Sequence, residues 1–319
     1  KKAMIRFGVP TAAYGEFTDP AAAKDYIRKT GAPVVVKADG LAAGKGVVVA
    51  STVEEALEAV DRIMVEREFD SAGDLIVVEE FLAGEEASFL AFCDGKRVVP
   101  MDSSQDHKAV HDGDRGPNTG GMGAYSPAPV VTQALFDEVV RTVMAPMVEG
   151  MAREGNPYVG VLYAGLMIRD GKVKVLEFNC RFGDPECQPI LMRLRGDLVD
   201  VLEACIDGAL DRVSLSWDPR ATVCVVMASE GYPGSYPKGI PIEGLDEAAK
   251  VPDVVVFHAG TKRADGRVVT SGGRVLGVTG IGDGVGKAIE RAYEAVKKIR
   301  WPGAQFRTDI GKKALGRAG

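Results

Sequence analysis

Val173-Lys174-Val175-Leu176-Glu177-Phe178-Asn179-Cys180-Arg181-Phe182-Gly183-Asp184-Pro185-Glu186 is the stretch on which the reading turns. Its first half is apolar enough for a strand, and Asp170-Gly171 just before it follows another apolar run, Tyr163 to Arg169. An Asp-Gly pair between two such runs marks a β-hairpin. Alternate side chains of a strand share a face, so the spacing puts Val173, Val175, Glu177 and Asn179 together. A carboxylate and an amide oxygen two residues apart at a strand end reach shared magnesium ions, which take oxygen ligands from one or two carboxylates plus substrate phosphates. Arg181 adds a guanidinium suited to phosphoryl oxygens. The plain alternative is a solvated strand end. Cys180 and Cys187 flank the motif, but sulfur is a poor magnesium ligand and both read as structural.

Upstream, Pro33 to Lys37 and Val47 to Ala50 read as strands joined by Ala38-Asp39-Gly40-Leu41-Ala42-Ala43-Gly44-Lys45-Gly46. Glycines let backbone N–H groups approach phosphate oxygens, and Lys37 and Lys45 add charge. This is not a phosphate loop of the strand–helix type: Gly46 stands where a Ser or Thr belongs, and a strand follows instead of a helix. Strand, glycine loop, strand is a flap able to lie over phosphates; an ordinary glycine-rich hairpin is the alternative. In Val77-Val78-Glu79-Glu80-Phe81-Leu82-Ala83-Gly84-Glu85-Glu86 the strand end can offer backbone groups to a base edge, and a later carboxylate can accept from ribose hydroxyls. Alone, that segment reads equally as a solvated acidic turn.

Between Ser103 and Pro129 lies a polar, glycine-rich stretch with no evident element. Loops of that length are usually functional or disordered, so it is either a substrate-recognition loop or a surface loop. Helices are expected over Pro20–Lys29, opened by a Thr18-Asp19-Pro20 N-cap, from Thr52 with a possible Thr52/Glu55 capping box to about Val65, over Gln133–Glu154, Gln188–Ala209 and Val285–Ile299. Further strands are expected at Leu75–Glu79, Ser88–Phe92, Arg97–Met101, Ala221–Ala228, Val254–Ala259, Arg267–Thr270 and Arg274–Thr279. Gly280-Ile281-Gly282-Asp283-Gly284-Val285-Gly286 imitates a dinucleotide fingerprint, yet Val285 occupies the third glycine position, and a simple strand–helix turn accounts for it.

The chain has 319 residues, 46% of them hydrophobic, which suits two or three domains with their own cores. The net charge of -6 argues against a nucleic-acid binder. No apolar run approaches the roughly 20 residues of a membrane span, so no membrane partner is expected. Five scattered cysteines without a CxxC pair argue against a disulfide framework or zinc site and for a reducing, cytoplasmic compartment. The opening Lys1-Lys2, without Met, reads as the start of a fragment.

The lysine–glycine loop and the Glu177–Asn179–Arg181 motif resemble the ATP-grasp superfamily. Lys37–Val47, Glu79–Ser88, Pro117–Pro127 and Glu177–Glu186, with Phe257–Lys262 and Ser271–Leu276, are similar to the glycinamide ribonucleotide synthetase (phosphoribosylamine–glycine ligase) family. The resemblance spans nearly the whole chain. It implies an α/β (α+β) ATP-grasp fold with a small, mostly β C-terminal domain. Residues 1–12 would belong to the central domain, 13–83 would form the ATP lid, 84–217 the central domain and 218–319 the C-terminal domain. Lys37, Gly44 and Lys45 would bind ATP phosphates, Glu79, Phe81 and Leu82 would frame adenine, and Glu86 would hold the ribose. Glu177 and Asn179 would bind Mg2+ (or Mn2+), and Arg181 and Lys45 would act in catalysis. Asn118, Gly120, Gly121 and Arg274 would meet the substrates, glycine and phosphoribosylamine. Glycine would become glycyl phosphate before the amine displaces phosphate, in a protein expected to be monomeric. The family's N-terminal domain, part of the phosphoribosylamine site, would be missing. Another ATP-grasp carboxylate–amine ligase, or a non-catalytic ATP-binding fragment, remains the alternative.

Overall fold

The computed structural model describes residues 1–40 and 46–316. Gly44 and Lys45 therefore lie outside the described residues. The chain forms two compact units, one of Thr11–Gly84 and one of Lys1–Pro10 with Glu85–Gly319.

The smaller unit is a four-stranded antiparallel sheet in the order Tyr14–Phe17, Ile76–Glu80, Val34–Ala38, Val47–Ala50. The Tyr14–Phe17 strand went unseen in the sequence, being only four residues with one glycine. Two helices cover one face, meeting Val34, Val36, Ile76 and Val78. Each has a legible start: Asp19 accepts from the N–H groups of Ala21 and Ala22, and Thr52 and Glu55 close the expected capping box. Such caps are worth about 1 kcal/mol each. The second helix, Val53–Val60, runs on through one π turn, Asp61–Val65. Val35 and Lys37 point to the opposite face, with Glu79 paired to Val35.

In the larger unit, a sheet in the order Lys172–Asn179, Val159–Arg169, Glu85–Asp94, Val98–Pro100 is covered on both faces. Ala87, Phe89, Ala91 and Cys93 alternate with Leu90 and Phe92, the first set packing with Val139, Val143, Met144 and Val148, the second with Ile190, Val201 and Leu210. The helix expected over Gln133–Glu154 forms as Gln133–Val139 and Ala145–Arg153 joined by a π turn, Val140–Met144. Pro146, which has no N–H to give, sits just after that turn.

Two expectations fail here. The single helix over Gln188–Ala209 is broken into Cys187–Leu191 and Leu198–Ile206, because Leu194 and Arg195 pair as a short strand with Trp217 and Ser216. The structureless stretch Ser103–Pro129 instead contains four short strands: Gln105–Asp106, Ala109–His111, Arg115–Asn118 and Gly123–Ser126. The last pairs with Ala221–Ser229, giving the sheet order Val254–His258, Arg274–Gly282, Ala221–Ser229, Gly123–Ser126, Gln105–Asp106. Residues on either side of position 217 thus share one sheet. Among the described residues, no helix is long and apolar enough to cross a membrane.

Candidate active site

The hairpin turn forms as Asp170-Gly171, both residues at positive φ, and its strands pair from Arg169 and Lys172 to Tyr163 and Asn179. The pairing carries a bulge: Leu166 faces Val175 while Gly165 faces Glu177, leaving Leu176 as an extra residue. An inserted residue reverses the alternation beyond it. Val173 and Val175 therefore enter the core while Glu177 is exposed, and Phe178 packs back against the core. The expected single face for Val173, Val175, Glu177 and Asn179 is corrected accordingly: the two polar residues lie on the other side. There they join Ser88 and Tyr163, their cross-strand neighbours through Gly165 and Tyr163.

The polar side chains on that face form a connected set. Asn179 Nδ2 donates to Glu177 Oε1 at 3.0 Å. Arg181 Nη2 reaches Asn179 Oδ1 at 3.4 Å, Nη1 donates to the Phe182 carbonyl at 2.8 Å, and the guanidinium lies 6.0 Å from the Tyr163 ring centre. The buried Glu186 accepts at Oε1 from Ser88 Oγ and from Tyr163 OH, each at 2.9 Å. Burial, then the Glu186 and Asp106 carboxylates, push the Tyr163 hydroxyl far up, so it stays protonated and acts as donor. Lys108 Nζ pairs with Glu86 Oε2. Burial alone would lower its pKa, but Asp106, Glu86 and Glu177 together raise it, and Lys108 is a fixed cation. The Asp106 carboxyl is pushed up to about 7 by desolvation, with Lys108 opposing and Glu186 and Glu86 adding.

Arg274 does not project as a free anion contact. Its Nη1 donates to the carbonyls of Gly120 at 2.6 Å and Asp184 at 2.8 Å, and its Nη2 to Asp184 Oδ2 at 2.9 Å. The glycines are needed for this approach: a Cβ on Gly121, whose φ is +112°, would come within 2.4 Å of Pro185 Cδ, and one on Gly120 within 2.9 Å of the Arg274 guanidinium. Gly121 N–H bonds Thr119 Oγ1, and Gly120 N–H bonds Tyr232 OH. Asn118 is exposed at the end of its strand.

In the smaller unit, Lys37 Nζ donates to the buried Glu79 Oε2 at 3.0 Å. Phe81 is 38% exposed, a large apolar ring left in solvent just past the strand end; Leu82 is half-buried beside it.

For a metal ion, the chain offers an exposed carboxylate and one amide oxygen, both hard donors. Among the described residues no group of three or more His, Cys, Asp or Glu is arranged to hold one. That donor set fits a magnesium-like ion completed by substrate oxygens and does not fit a closed zinc site.

Comparison with known families supplies the rest. Residues 1–187 match the model described as phosphoribosylglycinamide synthetase, ATP-grasp (A) domain, and residues 222–313 match the C domain of the same synthetase. The chain belongs to the phosphoribosylglycinamide synthetase family. It is 56% identical over 318 residues to phosphoribosylamine–glycine ligase of Vibrio vulnificus, covering 99% of this chain and 74% of the relative. It is 58% identical over 319 residues to the chloroplastic enzyme of that name from Arabidopsis thaliana, covering 99% of this chain and 60% of the relative. The crystal structure of phosphoribosylamine–glycine ligase from Thermotoga maritima matches with a TM-score of 0.87 at 34% identity, over 97% of this chain and 76% of that one. A biotin carboxylase domain from Hydrogenobacter thermophilus matches with a TM-score of 0.73 at 18% identity, over 96% of this chain and 66% of that one, a likeness of fold.

Sequence alone gives no individual role to Ser88, Asp106, Lys108, Tyr163 or Glu186. Ser88 and Glu186 stand inside the quoted motifs and Asp106 and Lys108 inside the Ser103–Pro129 stretch, but Lys108 meets Glu86 only through tertiary folding, 22 residues away.

Proposed function

We propose that Glu177 and Asn179 hold the divalent metal of an ATP-dependent carboxylate–amine ligase, with Arg181 facing the transferred phosphoryl group. The chain is a ligase that joins glycine to 5-phosphoribosylamine and releases glycinamide ribonucleotide, ADP and phosphate, a step of purine biosynthesis. The arrangement that carries the residue assignment is the Glu177–Asn179–Arg181 set at the strand end, with Lys108 fixed as a cation by the neighbouring carboxylates.

The reaction needs no protein nucleophile. A glycine carboxylate oxygen forms a bond to the γ-phosphorus of ATP as the bond to the β-bridging oxygen breaks. The phosphoribosylamine nitrogen then adds to the acyl carbon, phosphate leaves, and the amine gives up a proton. Positioning and charge neutralisation dominate such a transfer. Lys37 and, outside the described residues, Gly44 and Lys45 bind the phosphates; Glu79, Phe81 and Leu82 frame adenine; Glu86 accepts from the ribose. Asn118 and the Gly120-Gly121 backbone meet the acceptor substrate, and Arg274 fixes that backbone against Asp184. A metal held by Glu177 and Asn179, Mg2+ or Mn2+ by the hardness of those donors, would neutralise phosphate charge. All five cysteines are free thiols, which supports a reducing, cytoplasmic setting.

The test is ADP release with Mg-ATP, glycine and phosphoribosylamine generated in place. Release that requires both glycine and the amine supports the assignment; release indifferent to glycine, or supported equally by other acid–amine pairs, overturns it.

A further inference from the structure

Arg307 is among the most deeply buried side chains of the molecule, at 1% exposure, and nothing in the ligase chemistry calls for it. Its Nε and Nη2 bond the two carboxylate oxygens of Asp309 at 2.7 Å each, while Nη1 bonds Asp114 Oδ1 at 2.9 Å and the Ala109 carbonyl at 3.1 Å. The surrounding tail makes the same connection three more times. Gly113 N–H donates to Asp309 Oδ2 at 2.8 Å, Thr308 N–H to Asp112 Oδ1 at 2.8 Å, and Lys313 Nζ pairs with Asp114 Oδ2 at 2.6 Å. The tail is itself anchored: Tyr293 OH donates to the Arg307 carbonyl at 2.7 Å and accepts from Ile310 N–H at 3.1 Å.

The contacts to Ala109, Asp112, Gly113 and Asp114 all land on one element, the hairpin of Ala109–His111 and Arg115–Asn118 with its turn, while Asp309 and Tyr293 hold the tail side of the clasp. That hairpin is short, and Arg115–Asn118 is exposed along its length. Its apolar anchor is small, Val110 against Met122, Ala228 and Tyr232; two-stranded hairpins are marginal on their own, so the clasp adds order to that small cluster. The two ends of the hairpin lead into the candidate site. Lys108 immediately precedes it, and Thr119-Gly120-Gly121 immediately follows. Thr119 ties the ends together, its N–H and its Oγ1 each bonding the Lys108 carbonyl at 2.8 Å.

We propose that Arg307 is a positioning residue for the ligase: from the C-terminal segment it holds the 109–118 hairpin in place, and thereby sets Lys108 against Glu86 and Gly120-Gly121 against Asp184. The catalytic half of this inference rests on the ligase reading above. Arg307 touches no substrate group; it acts through the hairpin. A planar guanidinium is required because two carboxylates and a carbonyl are served from three nitrogens in fixed directions, which an ammonium cannot reproduce.

The test is a double-mutant cycle on the full chain with Arg307→Ala, Lys108→Ala and the double variant, read by kcat/KM for glycine and by amide hydrogen exchange over residues 109–118. The expected result is a loss of at least tenfold for Arg307→Ala with the protein folded by circular dichroism. Exchange should be faster over 109–118 but unchanged in the Val159–Arg169 strand. The double variant should fall by clearly less than the product of the two single losses, since non-additivity marks residues acting as one unit. A folded Arg307→Ala within twofold of the parent, or losses that multiply, overturns the proposal. Should Arg307→Ala fail to fold, Asp114→Asn, which removes one carboxylate charge from the clasp, is held to the same criteria. If the parent itself releases no ADP, the exchange measurement alone decides the inference: unchanged exchange over 109–118 in Arg307→Ala overturns it.

Discussion

Asn179 gives its side-chain N–H to Glu177 across 3.0 Å, at the end of a strand whose bulge has turned both residues away from the apolar core. Glu177→Gln keeps the shape and removes the charge. Because Glu177 is exposed, its folding stability should change by less than about 0.5 kcal/mol, while metal-dependent turnover falls by about 100-fold or more, as removal of a principal electrostatic group does. ADP release measured against magnesium concentration checks this; an unchanged magnesium dependence would remove Glu177 from the metal site.

Lys108 and Glu86 are both about one-third exposed or more, so their pairing contributes little to stability, on the order of 0 to 1 kcal/mol. Lys108→Met should therefore leave the melting temperature nearly unaltered while lowering turnover roughly 10- to 100-fold. Melting without a shift, together with unchanged kcat and KM for ATP, would reduce the pair to a surface contact.

Glu186 depends on Ser88 and Tyr163 for the two hydrogen bonds at its Oε1. Tyr163→Phe deletes one donor to a buried carboxylate and should cost about 1 to 3 kcal/mol. Urea denaturation would show the loss as a lower midpoint with the slope preserved. An unshifted midpoint would mean that the triad adds nothing to the fold.

His107 is buried, its Nε2 has no hydrogen-bond partner, and burial with Arg307 and Lys313 nearby holds its pKa down to about 4. An unfolded histidine titrates near 6.5. Between those values the unfolded chain binds the extra proton, so His107 contributes stability above about pH 6.5 that is lost as pH falls through about 4. His107→Phe should thus lose less stability than the parent between pH 7 and pH 4.5, the difference being on the order of 2 kcal/mol. Urea midpoints at the two pH values give the answer, and equal drops would assign the acid sensitivity elsewhere.

Much of this architecture was legible because local signals and tertiary structure agree. The Asp170-Gly171 turn, the Thr52/Glu55 capping box and the Asp19 cap are decided by a few adjacent residues, and each forms where the sequence places it. What was not legible depends on distant partners. Gly123–Ser126 is a strand because Ala221–Ser229 lies beside it, and Leu194–Arg195 leaves the helical path because Trp217 and Ser216 pair with it. The candidate site divides in the same way. Glu177, Asn179 and Arg181 are neighbours in the chain and could be grouped from their spacing. Lys108 with Glu86, and Tyr163 with Ser88 and Glu186, are brought together only by the sheet. The family resemblance implies a substrate contact for Arg274, but its engagement with Asp184 and Gly120 needed the fold.

The extra residue at Leu176 has a further consequence. Because Leu176 is left out of the pairing, Glu177 stands opposite Gly165 as if it followed Val175 directly, so deleting Leu176 would leave the carboxylate facing solvent. Ironing the bulge flat, with Leu176 taken into the ladder, would set Glu177 opposite Ala164 and turn it toward Val173 and Val175, inside the apolar layer, with every side chain of the motif still present in its original order. The chemistry of this strand is therefore governed by parity: an odd or even count of paired backbone units between the turn and the carboxylate determines whether the charge meets solvent or hydrocarbon. Substitutions sample the strength of the site, but only a change of pairing can turn it over.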